Sequence, residues 1–215
     1  MSARPAAGGG RWIDVDPGRL AKWLNGFAER HGESAAAVDG SAVRLVAPDG
    51  AIAELFAPPG AGSPGSLDAL VAAALAPRRL GLLLARQAAV AVGVAEGERL
   101  LRSKVDSSYV QGRTAAGGWS QHRFARRREN QAKAAASAAA DVVARLLLPE
   151  VGRLAAVVTG GDRRAVDAVL ADPRLAPVAA LRSERFLDVP EPRLAVLERA
   201  VGSARAVRVR LRDAG

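Results

Sequence analysis

The spacing of apolar residues predicts strands in the middle of the chain and a long helix after them. Residues 80–85 are apolar on both faces, as in a central strand, whereas 88–95 and 99–105 alternate. A helical period then runs from about Gln121 to Leu148, and Pro149 ends it. Further strands are predicted at 154–159, 178–186 and 206–211, and further helices at 67–75, 162–170 and 191–201.

This order of elements sets the expected fold class. Three strands follow one another in hairpin connections, and strands then alternate with helices. Antiparallel neighbours need only a short turn, whereas parallel neighbours need a helical crossover. We therefore predict an α/β fold, a mixed α+β sheet flanked by helices, with an RNase H-like topology.

A small α/β module is predicted ahead of this sheet, in residues 11–57. Asp16 can cap a helix that begins at Pro17, and the residues on its apolar face are Leu20, Trp23, Leu24 and Phe27. A hairpin follows, with strands at 42–47 and 51–56. The predicted divisions of the chain are a disordered tail at 1–10, the module at 11–57, a Pro/Gly/Ser-rich linker at 58–66 and the larger domain at 67–215.

Composition restricts the chemistry. The chain has 215 residues, no cysteine and two histidines, His31 and His122. Disulfides, a thiol nucleophile and Cys-bound zinc are excluded, and a His-based metal site is not expected. The sequence has no apolar run of about 18 residues and no leader with a basic start, so a cytoplasmic protein without membrane contact is the default expectation.

Positive charge is concentrated in one part of the chain. The formal charge is +9, and between Arg113 and Lys133 six basic residues accompany a single acid, Glu129. A local excess of this size indicates nucleic acid as the partner. A solvated helix face is the ordinary interpretation of an arginine run, but here the arginines have almost no compensating acids at i,i+4 spacing.

The residues before the long helix form a distinct motif. Gly117 and Gly118 are followed by Trp119, Ser120 and Gln121, and Ser120 is suited to cap the helix. Unpaired N–H groups in a first helical turn favour an anion or a developing oxyanion. On a helical wheel one face carries Arg123, Arg126, Arg127 and Asn130. The opposite face, predicted to pack on the sheet, carries Ala132, Ala135, Ala139, Val142, Val143 and Leu146.

Other candidate sites have simpler interpretations. Gly160-Gly161-Asp162 follows a strand but lacks the Lys-Ser/Thr of a phosphate-binding loop, so we interpret it as a turn capped by Asp162. The predicted strands carry almost none of the carboxylates that a metal nuclease needs. Trp119 is predicted to stack on a nucleotide, with a local structural role as the other interpretation. Gln121 could equally act only as a helix-capping residue.

The motif from Gly117 to Gln121, followed by His122, Arg123 and the arginines at 126–128, resembles the catalytic loop of the Vms-like release factors. The approach at Val110–Thr114 is also similar, and the resemblance covers residues 78–213, closest to the actinobacterial branch. This family of peptidyl-tRNA hydrolases is related to the middle domain of archaeal and eukaryotic class I release factors. The resemblance extends to residues 11–57, which are similar to the small N-terminal module of that branch.

The resemblance implies a release-factor domain that frees nascent chains from tRNA on obstructed large ribosomal subunits, with no cofactor or metal. Its catalytic residues would be Gln121, Gly117 and Gly118. Its RNA-binding residues would be Arg113, Trp119, Ser120, His122, Arg123, Arg126, Arg127, Arg128 and Lys133. Large-subunit rRNA and peptidyl-tRNA are the expected partners of a monomer. Trp119-Ser120 departs from the release-factor pattern, in which glutamine follows the glycines directly.

Two other functions stay open at this point. A metal-independent nuclease could cut near the tRNA 3′ end, with a ribose 2′-hydroxyl as nucleophile. A non-catalytic factor could bind the ribosome without any turnover. The motif itself does not distinguish ester hydrolysis from either alternative.

The arginine cluster predicts a salt dependence of RNA binding. If the basic residues neutralise four or five phosphates, log K should fall against log salt with a slope of roughly −3 to −4.5. A filter-binding series over potassium chloride concentration measures that slope. A slope near zero would contradict phosphate binding by the cluster.

Overall fold

The computed structural model describes residues 4–6, 8–86, 89–107 and 121–214, without the side chains of Ser107 and of residues 121–129. The chain divides into two compact units. Unit 1 is Met1–Arg78 with Gly202–Gly215, and unit 2 is Arg79–Val201. The helices in the described part of the chain include none that is long and apolar enough to cross a bilayer.

The strands are numbered in chain order. They are β1 (Arg4–Pro5), β2 (Arg11–Val15), β3 (Ala35–Asp39), β4 (Ala42–Val46), β5 (Ile52–Phe56), β6 (Arg79–Arg86), β7 (Ala89–Glu96), β8 (Arg99–Ser107), β9 (Ala156–Gly161), β10 (Arg182–Leu187) and β11 (Val207–Arg212). The helices are α1 (Leu20–His31), α2 (Leu67–Leu75), α3 (Gln121–Leu147), α4 (Arg163–Leu170), α5 (Ala176–Ala180) and α6 (Leu194–Arg205).

Unit 1 is built on an antiparallel sheet with the strand order β1-β2-β11-β5-β4-β3. Buried side chains from α1 and α2, among them Leu20, Phe27 and Leu70, join those of alternate strand residues in one apolar core. Asp16 accepts a hydrogen bond from the Gly18 N–H at 2.9 Å and begins the turn that leads into α1, as predicted. The predicted hairpin between β4 and β5 is also confirmed.

His31 connects the end of α1 to the turn of that hairpin. Its Nδ1 lies 2.8 Å from an Asp49 carboxylate oxygen, and the other oxygen accepts from the Ala51 N–H at 3.0 Å. The Ala51 N–H and then His31 hold the pKa of Asp49 below its usual value, since both favour the carboxylate. This histidine therefore has a structural partner within unit 1.

Unit 2 contains the predicted mixed sheet, in the order β10-β9-β6-β7-β8. Strands β6, β7 and β8 pair antiparallel in sequence, whereas β9 pairs parallel with β6 and β10 parallel with β9. Strand β6 is buried from Leu80 to Ala85, as its apolar sequence predicted. The arrangement of three antiparallel strands followed by parallel crossovers is the RNase H-like topology.

Two of the predicted elements lie elsewhere or have another structure. Strand β11 was expected in the mixed sheet but pairs with β2 and β5 in unit 1. Residues 178–180, predicted as the beginning of a strand, lie in helix α5, and the strand begins only at Arg182. Strands β1, β2 and β3 were not predicted, because their short segments lack a clear apolar alternation.

The observed units also divide the chain at a different place from the predicted linker at 58–66. Helix α2 lies after that linker, yet its Leu70 and Ala74 are buried in the core of unit 1. The division falls instead between Arg78 and Arg79, immediately before β6.

The turn between β9 and α4 depends on two glycines. Gly161 has φ +99°, and a Cβ there would collide with the carbonyl oxygen of Ala85. A Cβ on Gly160 would lie 2.7 Å from the carbonyl oxygen of Leu187. Asp162 then donates its N–H to the Ala85 carbonyl at 2.7 Å, and its carboxylate caps α4 by accepting from the Ala165 N–H at 3.0 Å. The predicted capped turn is confirmed.

We expect Gly161→Ala to lower the free energy of unfolding by about 2–4 kcal/mol, because it adds a left-handed backbone cost to a backbone collision. Urea denaturation measures the change. Gly97→Ala is the matched control, since Gly97 has φ +55° but open space around its Cβ. Equal losses for the two variants would show that the close approach to Ala85 contributes nothing.

Candidate functional site

Helix α3 carries the residues that the sequence singles out. It begins at Gln121 and ends at Leu147, close to the predicted bounds. A 3-10 turn over Leu148–Arg153, with Pro149 in its first positions, follows directly. Gln121 is thus the first residue of a helix of 27 residues.

The predicted site residues fall into three groups. Those outside the described residues are Arg113, Gly117, Gly118, Trp119 and Ser120. Those on the α3 backbone, without described side chains, are Gln121, His122, Arg123, Arg126, Arg127 and Arg128. Lys133 is described and exposed, as is Asn130. The roles of all these residues stay predictions.

The second half of α3 packs into the core of unit 2. Ala139, Ala140, Val142, Val143 and Leu147 are buried, and Val143 and Leu147 have no exposed surface. The burial prediction is confirmed for Ala139, Val142 and Val143, while Ala135 and Leu146 are partly buried. Ala132 was expected to pack on the sheet but is exposed, and the next residue of the predicted apolar face, Ala135, is the first of that face with partial burial.

Residues 130–134 of α3 precede this core contact and are all exposed. Among the residues of the helix whose side chains are described, the first partly buried one is Ala135. At about 1.5 Å rise per residue, the helix axis covers about 21 Å between Gln121 and Ala135. The end of α3 that carries Gln121 is therefore set well apart from the buried half that fixes the helix.

An ion-pair cluster ties the buried half of α3 to the segment after α4. Arg174 Nη2 lies 2.8 Å from Asp141 Oδ1 on α3 and 2.7 Å from Asp172 Oδ2. The Arg174 side chain, and then its backbone N–H, hold the pKa of Asp172 below its usual value because they donate to the carboxylate. Asp172 and Asp141 in turn raise the pKa of Arg174. The arginine stays charged and links the two segments.

This cluster was not predicted from the sequence. Asp172-Pro173 is a recognisable signal for a capped turn, and Asp172 does accept from the Arg174 N–H at 3.0 Å. The partner on α3 lies 33 residues away, however, and no local pattern marks that pairing.

A cavity of about 320 Å³ opens between α3 and α4 where the exposed half of α3 begins. Alanine methyl groups form most of its wall, contributed by Ala132, Ala135, Ala136 and Ala139 of α3 and by Ala165 and Ala168 of α4. Asp162, which caps α4, and Arg164 are its charged neighbours. Methyl groups provide no hydrogen-bond donor or acceptor, so this wall is suited to packing.

In the described part of the chain, no three His, Cys, Asp or Glu residues are grouped closely enough to hold a metal ion. Thr159 in β9 is buried and its Oγ1 has no hydrogen-bond partner there.

Comparison with known proteins identifies the family. Residues 78–210, more than half of the chain, match the family model described as the Actinobacteria/chloroflexi VLRF1 release factor. The chain therefore belongs to this release-factor family, as the resemblance of the loop and helix predicted. None of the curated proteins matches it.

Two solved structures are also similar to this chain. One is the archaeal translation termination factor aRF1, with 13% identity over 90% of this chain and 63% of that chain and a TM-score of 0.41. Another, described only as an archaeal protein, has 16% identity over 74% of this chain and 51% of that chain, with a TM-score of 0.40. The chain thus spans between half and two thirds of the length of these structures.

The cavity predicts opposite effects for two matched substitutions on α3. Ala136 lines the cavity, so Ala136→Leu should change the free energy of unfolding by less than about 1 kcal/mol or raise it. Ala140 is 1% exposed in the core, so Ala140→Leu should cost about 1–3 kcal/mol through overpacking. Urea denaturation compares the two variants. An equal loss in both would contradict an open space beside Ala136.

Proposed function

We propose that this protein hydrolyses the ester that links a nascent peptide to tRNA on obstructed large ribosomal subunits. Membership of the release-factor family supports a role in peptide release. The motif of two glycines, Trp119, Ser120 and Gln121 supports the position of the catalytic group at the beginning of α3.

The observation that carries this proposal is the position of Gln121 on α3. Gln121 is the first residue of the helix, about 21 Å along the axis from Ala135, the first partly buried residue among those of α3 with described side chains. A catalytic centre inside the ribosome is a narrow, RNA-lined space. A side chain at the end of a long helix can enter such a space while the body of the protein stays outside.

The chemistry of an amide defines what Gln121 does. Its side chain does not titrate at neutral pH, so it is not a general base. It holds a water molecule near the ester carbon and donates a hydrogen bond to the oxyanion that forms. Backbone N–H groups in the first turn of α3 add to this stabilisation. A single such donor contributes on the order of 3 kcal/mol to the transition state.

In this proposal the arginines of α3 bind RNA. Arg123, Arg126, Arg127 and Arg128 follow the glutamine within two turns, and Lys133 is exposed one turn further. Guanidinium groups bind phosphates through paired hydrogen bonds, which gives geometry as well as attraction. In this proposal they fix the depth to which α3 enters, and Trp119 stacks on a nucleotide beside the ester.

We expect Gln121→Ala to slow single-turnover peptide release by about a hundredfold or more, since one oxyanion donor and the water-holding amide are lost. The measurement is release of labelled peptide from large subunits that carry peptidyl-tRNA. Asn130→Ala is the matched control, because it removes another amide from α3 at an exposed position. Release at the same rate by both variants would remove Gln121 from the mechanism.

Mass analysis of the tRNA after the same reaction identifies the bond that breaks. Ester hydrolysis leaves an intact terminal CCA, which is the expected result. A shortened end with a cyclic phosphate would establish the nuclease alternative. Salt-sensitive subunit binding without any peptide release would establish a non-catalytic factor, and either outcome overturns the proposal.

A further inference from the structure

The sheet of unit 1 has one face that α1 and α2 pack against and another rich in arginine. Strand residues alternate between the faces, and residues paired directly across strands share a face. We call the second face the basic face. Its charged and aromatic members on these strands are Arg4, Trp12, Asp14, Arg44, Glu54, Phe56, Arg208, Arg210 and Arg212, and the apolar Val46 and Ile52 share the face.

The register places a row of arginines along the central strand. On β11, Arg208 lies opposite Asp14 of β2 and Phe56 of β5. Arg210 lies opposite Trp12, which is paired in turn with Arg4 of β1. The alternate residues of a strand are about 6.8 Å apart, so the three arginines of β11 span about 14 Å.

The basic face carries more positive charge than its own acids balance. Five arginines share two carboxylates, with Asp39 at the far end of edge strand β3 as a third acid of the same parity. The opposite side of unit 1 differs. Between residues 16 and 33 and in α2, three basic residues (Arg19, Lys22, Arg30) accompany four acids (Asp16, Glu29, Glu33, Asp68). The excess therefore belongs to one face.

The ion pairs on the basic face are long and shared. Asp14 lies 3.5 Å from Arg4 and 3.6 Å from Arg208. Glu54 lies 3.6 Å from Arg210 and 3.3 Å from Arg212. Pairs of this length between partly exposed groups are weak, so the acids do not hold the guanidinium groups in fixed positions.

The guanidinium groups are accessible at their outer ends rather than at Nε. The Nε atoms of Arg44, Arg208 and Arg212 are buried, and the Nε of Arg208 lies 3.6 Å from Asp14 Oδ1. The side chains of Arg208 and Arg212 are 24% and 38% exposed. An anion that arrives at this face can therefore reach their outer N–H groups.

Aromatic rings stand among these arginines. The rings of Trp12 and Phe56 lie 5.5 Å apart at 53°, and the Arg208 guanidinium lies 5.6 Å from the Trp12 ring. Both rings are half-buried on the basic face, whereas Trp23 and Phe27 belong to the apolar core on the other side. Flat rings beside cations on an exposed sheet provide stacking surfaces for bases.

We propose that the basic face binds single-stranded RNA, with phosphates on the arginines and at least one base stacked on Trp12. Charge alone would fit an acidic protein equally well. The combination of aromatic rings with guanidinium forks favours RNA, since a base stacks on a ring while its phosphate meets the neighbouring arginine. The proposal does not depend on ester hydrolysis at Gln121.

Fluorescence anisotropy with a fluorescein-labelled single-stranded RNA of about twelve nucleotides tests the proposal on the full chain. The reference protein carries Arg126→Gln, Arg127→Gln and Arg128→Gln, which reduces binding through α3. Adding Arg44→Gln and Arg212→Gln should weaken binding about tenfold. It should also reduce the slope of log K against log salt by about 1.4, for two lost phosphate contacts on a single strand.

The matched control is Arg19→Gln with Arg30→Gln, the same charge change on the opposite side of unit 1. It should leave affinity and slope almost unchanged. The double variant Arg44→Lys with Arg212→Lys keeps both positive charges, so we expect it to keep the slope of log K against log salt. A reduced slope in this variant as well would indicate disturbed folding rather than lost phosphate contacts. Equal losses in the Arg44/Arg212 and Arg19/Arg30 glutamine variants would overturn the proposal.

Tryptophan emission gives a direct readout of stacking. The chain has three tryptophans, so Trp23→Phe with Trp119→Phe, introduced into the reference protein that lacks Arg126, Arg127 and Arg128, leaves Trp12 as the only one. RNA binding should quench its emission. Saturable RNA binding without any change in Trp12 emission would overturn stacking on this face. Displacement of the RNA by polyglutamate, together with unchanged binding by Trp12→Leu, would assign the face to an acidic protein and overturn the proposal.

Discussion

The packing of the second half of α3 is the constraint on which the candidate site depends. Val143 and Leu147 are fully buried against the mixed sheet and α4, and Arg174 ties Asp141 to the next segment. Because a helix is a continuous rod, fixing residues 139–147 also fixes the direction of the axis on which Gln121 lies. The core of unit 2 and the candidate site at the beginning of α3 are therefore connected through one helix.

Local patterns predicted unit 2 well and unit 1 less well. Strand β6 is buried on both faces, and its continuous apolar run is visible in the sequence. The placement of β11 was wrong, although its sequence carries a signal. Its strict alternation of valine or leucine with arginine fits an antiparallel sheet with one open face. A central strand of a sheet covered on both sides would not alternate in this way.

In the candidate site too, features that depend on neighbouring residues were predicted, whereas features that depend on residues far apart in sequence were not. The beginning of α3 at Gln121 follows from nearby residues and was predicted. The point where α3 meets the core depends on how far the sheet and α4 extend, so Ala132 was misplaced. The Asp141–Arg174 pair and the basic face of unit 1 join residues far apart in sequence. Helical wheels and turn signals contain no information of that kind.

The path of the chain makes unit 1 depend on two segments that are far apart in sequence. Unit 1 is formed by the residues before Arg79 together with those after Val201. Strand β11, in the second of these segments, lies between β2 and β5. That strand donates and accepts hydrogen bonds on both sides, so without it β2 and β5 would each expose an unpaired edge. The family match over residues 78–210 includes most of β11, although that strand belongs to the other unit. A fragment cut at the predicted linker would separate β11 from both of its partners and so would not be a self-contained domain.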